Sequence, residues 1–405
     1  MTSIKWFALA LAIIIATLPV FGFAQETRLG GEFWGRYTNE TAKIKTNVAG
    51  EYVNKTSKNS IALDRGYLDL RTKFSENTNA RFTVDIFSTD ASHAFKTYTI
   101  TDQVMPVDSF FVADANGSVD GAGLKLKYAF VDFANLIPVP DMILTAGLQK
   151  VFFGTIYDWD YTLIGKDPVD EYKLSQSADY GVTINGFLPS GFGEYAFGVY
   201  NGEGYKKFGK NLKDNTDFAY LGNLRLTPIA GVTIGGSYMT TTVETEKKLD
   251  GEALITTYEE QALMAGVARL AYGPVDVWAE YLSKDVKLPN DSSKDYTATG
   301  IMIMPIVKLK DFIGEDIQLI GRYDKWDETD RPDSSKDKKL LTAITAGVNY
   351  NFLHDESFVP KMQLQLNYTT KAHDEDKSHS SYADGMKDTS TLMMQLKWRF
   401  SSTIK

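Results

Sequence analysis

The feature that most constrains the fold is an alternation of apolar and polar residues that recurs along nearly the whole chain. In residues 362–368 (MQLQLNY), methionine, leucine and tyrosine occupy one side of an extended segment, and glutamine and asparagine occupy the other. Successive side chains of a strand point to opposite faces, so a period of two predicts β-strands. Because little helical periodicity follows residue 24, we expect an all-β fold.

We count about sixteen such segments, each of roughly ten residues. They lie near 27–37, 61–74, 80–90, 121–134, 142–152, 177–188, 194–201, 217–227, 232–243, 260–272, 275–285, 296–307, 316–327, 339–353, 361–371 and 390–400.

The connections between these segments alternate in length. Short ones carry turn residues, as in 75–79, 189–193, 227–231 and 272–274. Long ones are polar and charged, as in 38–59, 91–120, 153–176 and 372–389. This inequality is typical of a transmembrane antiparallel β-barrel with short periplasmic turns and long external loops. A pair of secreted β-sandwiches is the alternative architecture, although sandwiches usually lack it.

The N-terminus predicts a signal peptide over residues 1–24. A lysine precedes an apolar run over 6–18, and Gly22 and Ala24 supply small residues at the two positions that matter for cleavage. A permanent membrane anchor is the alternative, but threonine, proline and glycine interrupt the run. We therefore expect export, cleavage before residue 25, and one barrel domain over 25–405.

Composition excludes several classes of function. The chain has no cysteine, which removes disulfides and thiolate metal sites, and its net charge of -9 argues against binding nucleic acid. Its four histidines lie in predicted loops without a neighbouring nucleophile motif, so we expect no enzyme and no cofactor, with an outer-membrane hydrolase kept as an alternative. Residues 373–376 and His379 could bind a metal loosely, but a solvated acidic loop explains them better.

In a membrane barrel the usual polarity of a sheet protein is reversed. Lipid requires that every backbone group be paired, and only closure removes the sheet edges. The interior of a large barrel is too wide for side chains to fill, so inward positions meet water. The segment 392–400 fits this, with five apolar residues on one face and Gln395, Lys397 and Arg399 on the other.

Aromatic residues also cluster near the predicted strand ends, where rings suit the two membrane interfaces. The predicted girdles contain Phe33, Tyr37, Phe74, Tyr128, Phe130, Tyr272, Tyr281, Tyr323, Tyr350, Phe352, Tyr368, Trp398 and Phe400.

Short segments spread along the mature chain resemble a known family. They are RGYLDLR (65–71), ARFTVD (80–85), AGLQKVFFG (146–154), SADYG (177–181), YNGEG (200–204), IGRYDKW (320–326), GVNY (347–350) and WRF (398–400). In this order they resemble the phosphate-selective porins of types O and P, within the sixteen-stranded bacterial porins. The resemblance implies a passive outer-membrane channel, commonly a homotrimer, in which a long loop folds into the lumen as a constriction.

The loop that matches this constriction by position is 153–176. The candidate constriction residues are Asp158, Asp160, Lys166, Asp167, Asp170 and Glu171. The loop is therefore acidic, whereas a dedicated phosphate channel would carry a lysine-rich gate. The chain also continues for five residues beyond Phe400, where porins of this type usually end.

The wall of the barrel carries the opposite charge if the less apolar row of each strand faces inward. Basic residues of that row outnumber acidic ones by about two to one, which favours anions. The predicted pore-lining residues are Arg28, Arg36, Arg65, Arg71, Lys73, Arg81, Lys125, Lys127, Arg225, Arg269, Arg322, Lys361, Lys397 and Arg399.

These observations predict a water-filled channel for passive diffusion of small hydrophilic solutes and ions, with a preference for anions or phosphate. An equal alternative is that wall and loop charges cancel. A channel for a specific organic solute such as a fatty acid, and a secreted β protein without a channel, also remain open. The expected partners are outer-membrane lipid, the solutes themselves and two further copies of the chain.

Overall fold

The computed structural model describes residues 25–45, 52–88, 96–98, 110–112, 122–136, 139, 141–161, 164–206, 217–250, 253–289, 292–328, 330, 340–354, 360–373 and 388–404. The predicted signal peptide 1–24 and most of the acidic segment 373–379 lie outside the described residues.

Strands make up most of the described chain. Their bounds are β1 (Glu26–Lys45), β2 (Tyr52–Ser75), β3 (Thr78–Ser88), β4 (Lys96–Tyr98), β5 (Phe110–Val112), β6 (Ala122–Ala134), β7 (Met142–Lys150), β8 (Ala178–Leu188), β9 (Gly193–Tyr200), β10 (Ala219–Ile229), β11 (Val232–Asp250), β12 (Ala253–Tyr272), β13 (Val275–Lys287), β14 (Tyr296–Lys308), β15 (Ile317–Asp327), β16 (Leu340–His354), β17 (Pro360–His373) and β18 (Thr389–Ile404).

Helices are confined to single turns in the described part of the chain. These are α1 (Pro168–Glu171), α2 (Lys310–Ile313) and two 3-10 turns, Pro189–Gly191 and Ser292–Lys294.

Within the described ranges, no helix has both the length and the apolar character needed to cross a membrane.

Sixteen strands of the described residues close into one antiparallel barrel. Each strand pairs with its neighbour in sequence, β3 pairs with β6, and β1 closes the barrel against β18 from Thr27–Ile404 to Ala42–Thr389. The short strands β4 and β5 form a separate two-stranded sheet between β3 and β6. The structure thus confirms the predicted all-β antiparallel barrel and each of its sixteen predicted segments.

One predicted loop is wrong. The sequence predicts an irregular connection over 38–59, but β1 continues to Lys45 and β2 begins at Tyr52, and the two strands stay paired up to these two residues. The extension has mostly polar residues on both faces, so the sequence there shows no alternation of apolar and polar residues. The strands can still pair, because a β-ladder needs only paired backbone groups and not an apolar face. The strands β11 and β12 extend beyond their predicted ends in the same way.

The polarity of the strands is inverted relative to a soluble sheet. On β17, Gln365 is fully buried and Asn367 nearly so, whereas Leu364 and Leu366 are 39% and 49% exposed. The same contrast recurs on β18, where Gln395 is buried and Met394 is exposed. Polar side chains therefore point into the barrel, and leucine and methionine point out of it.

A bulge in β6 corrects the prediction of the aromatic girdles. The pairing with β3 shifts between Thr83–Tyr128 and Val84–Leu126, which leaves Lys127 as an extra residue. An extra residue reverses the alternation beyond it. Tyr128 and Phe130 therefore point inward, and the girdle prediction is wrong for these two rings.

Candidate functional site: the lumen and its inserted loop

A cavity of about 1340 Å³ occupies the lumen beside the β1 to β3 wall. Its basic lining residues are Arg28, Arg36, Lys58, Arg65, Arg71, Arg81, Lys127, Lys150, Lys166, Arg322, Lys361, Lys371, Lys397 and Arg399. Its acidic lining residues are Glu32, Glu40, Asp64, Asp69, Asp158, Asp160, Asp167, Asp170, Glu171 and Asp324. Fourteen basic groups thus face ten acidic ones, and half of the acidic groups belong to one loop.

This inserted loop, residues 151–177, leaves the end of β7 and packs against the opposite inner wall. Phe153 and Val169 are fully buried in an apolar cluster with the inward residues Leu221, Leu263 and Leu282 of β10, β12 and β13. Burial of such side chains contributes about 1.5–3 kcal/mol each. One half of the lumen is therefore filled, and the open passage lies along the other half.

The start of the inserted loop is fixed by hydrogen bonds to charged and polar wall residues. The Gly154 amide donates to Ser237 Oγ at 3.0 Å, and the Thr155 amide donates to Glu280 Oε1 at 2.8 Å. Arg225 donates to the Gly154 carbonyl oxygen and pairs with Asp158 at 2.6 Å. A Cβ at residue 154 would lie 2.3 Å from the Glu280 carboxylate, so only glycine permits this approach.

The second half of the inserted loop is held from the β15 to β17 side. Tyr172 stacks on Trp326 with ring centroids 4.8 Å apart, and Arg322 Nη1 donates to the Lys166 carbonyl oxygen at 2.6 Å. Lys371 pairs with Glu171 at 2.5 Å. Burial raises the pKa of Glu171, but the Lys371 ammonium outweighs it and the net pKa is lowered, so this ion pair persists in weak acid.

A glycine on the wall makes room for the tip of the loop. Ile164 lies over Gly347 of β16, where a Cβ would come within 2.6 Å of Ile164 Cδ1. Ile164 also packs with Met302 and Met304 of β14, whose side chains are fully buried. The sequence predicts that the less apolar row of each strand faces the lumen, and these inward methionines depart from that prediction. At this part of the wall the loop, and not water, contacts the inward side chains.

Two carboxyl groups meet at one hydroxyl behind the loop. Thr155 Oγ1 hydrogen-bonds to Asp167 and, at 2.8 Å, to Glu280 Oε2. A hydroxyl donates only one hydrogen bond, so one of the two carboxyl groups must supply the second hydrogen. Burial raises the pKa of Asp167 to about 7, which is consistent with a shared proton at this site.

Two acidic residues of the β1 to β3 wall each pair with two cations. Asp69 accepts from Arg71 and Arg81 at 2.6 and 2.7 Å. Glu32 likewise pairs with Lys397 at 3.2 Å and with Arg399. Sharing one carboxylate between two cations leaves the wall with excess positive charge, opposite the exposed carboxylates of the inserted loop.

The structure gathers most of the predicted site residues at this cavity. All six predicted constriction residues border it. Ten of the fourteen predicted pore-lining residues do so as well, namely Arg28, Arg36, Arg65, Arg71, Arg81, Lys127, Arg322, Lys361, Lys397 and Arg399.

The other four predicted pore-lining residues lie elsewhere. Arg225 is buried beneath the inserted loop, and Arg269 pairs with Asp276 at 2.7 Å. Lys125 lies over the ring of Phe87, and Lys73 borders a second cavity. Their roles in conduction stay predictions.

Sequence reasoning missed Lys150 and Asp64 among the lining residues. Lys150 is the last residue of β7, where the chain turns into the lumen and strand alternation stops. Asp64 is extra at a bulge opposite Trp34 and Gly35, and its carboxylate accepts from Arg36 at 2.7 Å. A search for basic residues at the ends of predicted strands would have found Lys150. It would not have found Asp64, because the bulge has no local signal in the sequence.

No protein-family model matches the chain, and no curated protein matches it significantly. Solved structures do. Outer-membrane expressed OmpT of Vibrio cholerae superposes with a TM-score of 0.55 at 10% identity, covering 94% of this chain and all (100%) of the other. The trimer form of in-vitro folded V. cholerae OmpT gives 0.52 at 10% identity, covering 92% and 99%.

The anion-selective porin from Comamonas acidovorans gives a TM-score of 0.51 at 13% identity, covering 92% of this chain and 99% of the other. These proteins share the architecture over nearly their full lengths. The chain therefore has the porin-like fold of sixteen-stranded outer-membrane barrels, with one half of its lumen filled by an inserted loop.

Proposed function

We propose that this protein is an outer-membrane channel for the passive diffusion of small hydrophilic solutes and ions, without catalytic activity. The observation that carries the proposal is a charged cavity of about 1340 Å³ inside a closed barrel whose outward side chains are apolar. Such a barrel satisfies every backbone group in lipid and leaves a wet interior. Export by the signal peptide 1–24 into the outer membrane of a Gram-negative bacterium belongs to the same proposal.

We further propose a mild preference for anions. Fourteen basic groups against ten acidic ones line the cavity, and Asp69 and Glu32 are each shared between two cations. The Comamonas protein with the same fold is described as anion-selective, which agrees in sign. The acidic inserted loop favours a general anion channel over one dedicated to phosphate.

We propose a homotrimer as the assembly, because V. cholerae OmpT, which shares the fold, is described in a trimer form. Unheated gel electrophoresis with chemical cross-linking tests this, with a single-chain species as the contrary result.

The reversal potential in a planar bilayer under a KCl gradient tests the channel and its preference together. We expect discrete conductance steps and a potential showing that chloride is more permeant than potassium. Heat-denatured protein is the control and should give no steps. A folded barrel that does not conduct would overturn the channel, and preference for potassium would overturn the anion selectivity alone.

A further inference from the structure

A second cavity of about 590 Å³ opens off the lumen toward the short-turn end of the barrel, and we name it the side alcove. Four basic residues, Arg28, Arg71, Arg81 and Lys150, border both the lumen and the side alcove. The passage between the two spaces is therefore bordered by cationic side chains.

Three of these residues form a row across adjacent strands. Arg28 of β1 is directly opposite Arg71 of β2, and Arg71 is directly opposite Arg81 of β3. Like charges directly opposite one another destabilise a sheet. Glu26 and Asp69 offset only part of this repulsion, because three arginines meet two carboxylates, and the remaining positive charge points to a role in binding negative charge.

The arginines keep their outer nitrogen atoms available. Each uses Nε for its carboxylate partner: Arg28 donates to Glu26 at 2.6 Å, and Arg71 and Arg81 donate to Asp69 at 2.6 and 2.7 Å. Across the described ranges, the terminal Nη atoms of all three make no hydrogen bond. The Arg28 and Arg71 side chains are 64% and 60% exposed.

The charge of the side alcove is positive. Its lining includes five basic residues, Arg28, Arg71, Lys73, Arg81 and Lys150, and two acidic ones, Glu26 and Asp132. In the part of the chain that the structure describes, the Lys150 ammonium has no carboxylate within 4 Å. A ligand carboxylate would complete the charge balance here.

Three apolar side chains line the β6 to β7 side of the side alcove, next to the polar Asp132, Thr145, Gln149 and Asn185. Phe130 continues the arginine row, since it is directly opposite Arg81, and Ile143 and Phe152 line the same space. Half-buried phenyl rings beside guanidinium groups match a ligand with a flat apolar body and an anionic end. An inorganic anion would gain nothing from these rings.

We propose that the side alcove binds organic carboxylates with an aromatic or bulky apolar body as they pass through the channel. The carboxylate accepts from the Nη atoms of Arg71 and Arg81, in the fork geometry that guanidinium groups favour. The apolar body lies against Phe130 and Phe152. The cavity volume falls within the roughly 300–1,000 Å³ of small-molecule sites. This inference rests on the proposed channel function and specifies its substrate class.

Calorimetry on the folded, detergent-solubilised protein tests the binding directly, with benzoate, acetate and inorganic phosphate as probes. We expect benzoate to bind at least about tenfold more tightly than acetate or phosphate. Arg71→Gln and Phe130→Ala should each weaken benzoate binding by about tenfold, through loss of a charged hydrogen bond and of a ring contact respectively.

Lys361→Gln is the matched control, because Lys361 borders the lumen but not the side alcove. It should leave the ratio of benzoate to acetate affinity unchanged. The heat-modified shift on gels confirms that each variant is folded, and two independent variants guard against one that fails to fold.

Benzoate binding no tighter than that of acetate would overturn the side-alcove proposal, and so would equal losses in Lys361→Gln and Arg71→Gln. A protein that conducts anions but does not distinguish benzoate from acetate refutes this inference and keeps the proposed function. Binding of benzoate without ion conduction supports the alcove and refutes the channel.

Discussion

Thr155 lies where the inserted loop meets the barrel wall, between the carboxyl groups of Asp167 and Glu280. Asp167 also accepts from the Val169 amide at 2.8 Å and so begins the short helix α1. A single proton at this site therefore supports both the loop and its contact with β13. The loop is attached by chemistry that depends on protonation as well as by apolar packing.

This proton gives the loop attachment a defined pH dependence. Burial raises the pKa of Asp167 to about 7, above the roughly 3.9 of an exposed aspartate in the unfolded chain. Protonation thus stabilises the folded state: the contribution is complete below about pH 4 and is lost as the pH rises through about 7. A loop that is less firmly attached can block the passage more often. We therefore expect closures in single-channel records to become more frequent as the pH rises from about 4 to about 7.

Asp167→Asn should remove that dependence. An asparagine amide keeps the acceptor for the Val169 amide and donates to Thr155 Oγ1, which can then donate to Glu280, so the attachment no longer needs a proton on residue 167. The frequency of closure events should become flat with pH. Asp311→Asn, at an exposed helix turn, is the control and should follow the native protein. A native profile in Asp167→Asn would contradict the shared proton.

At the scale of a strand, β17 offers a test of the inverted polarity. Leu366 lies near the middle of the strand, 49% exposed, opposite Val348 and Met394. Leu366→Arg places a charge on the lipid face and should lower the free energy of unfolding by roughly 2–4 kcal/mol. Thr369→Arg, on the lumen side of the same strand, should cost far less and alter ion preference. Denaturant titration in lipid vesicles measures both, and equal losses would refute the orientation.

The strands could be predicted from the sequence because alternation is a local signal. The bulge at Lys127 could not, since one extra residue reverses the alternation without changing the composition around it. The extensions of β1 and β2 were missed because their outer halves carry polar residues on both faces. Prediction was therefore accurate where one face of a strand is apolar, and failed where neither face is.

The position of the inserted loop is decided by contacts between distant parts of the chain. Its acidic residues and its boundaries could be predicted from position and composition. The place where the loop binds the wall could not be predicted, because Ile164 lies on Gly347 and Phe153 belongs to the apolar cluster that contains Leu282, and no local pattern couples these residues. The sequence indicates the contact between the loop and the wall only through the apolar inner rows of β12 to β14, and these rows resemble rows that face lipid.

At the scale of the whole molecule, the filled half of the lumen sets a basic wall against an acidic loop. This arrangement predicts opposite effects for charges removed on the two sides. Asp160 and Asp170 border the lumen, whereas Asp158 and Glu171 also anchor the loop through Arg225 and Lys371. The first two can therefore be neutralised without releasing it.

Asp160→Asn with Asp170→Asn should increase the permeability of chloride relative to potassium, because two negative charges leave the passage while the basic wall remains. Lys361→Gln should change the ratio in the opposite direction. Both shifts should shrink at high salt, where the Debye length falls to about 3 Å at 1 M. Reversal potentials at low and high ionic strength measure them. If the double variant leaves the ratio unchanged at low salt while its conductance is native, the loop carboxylates do not face the conducting path.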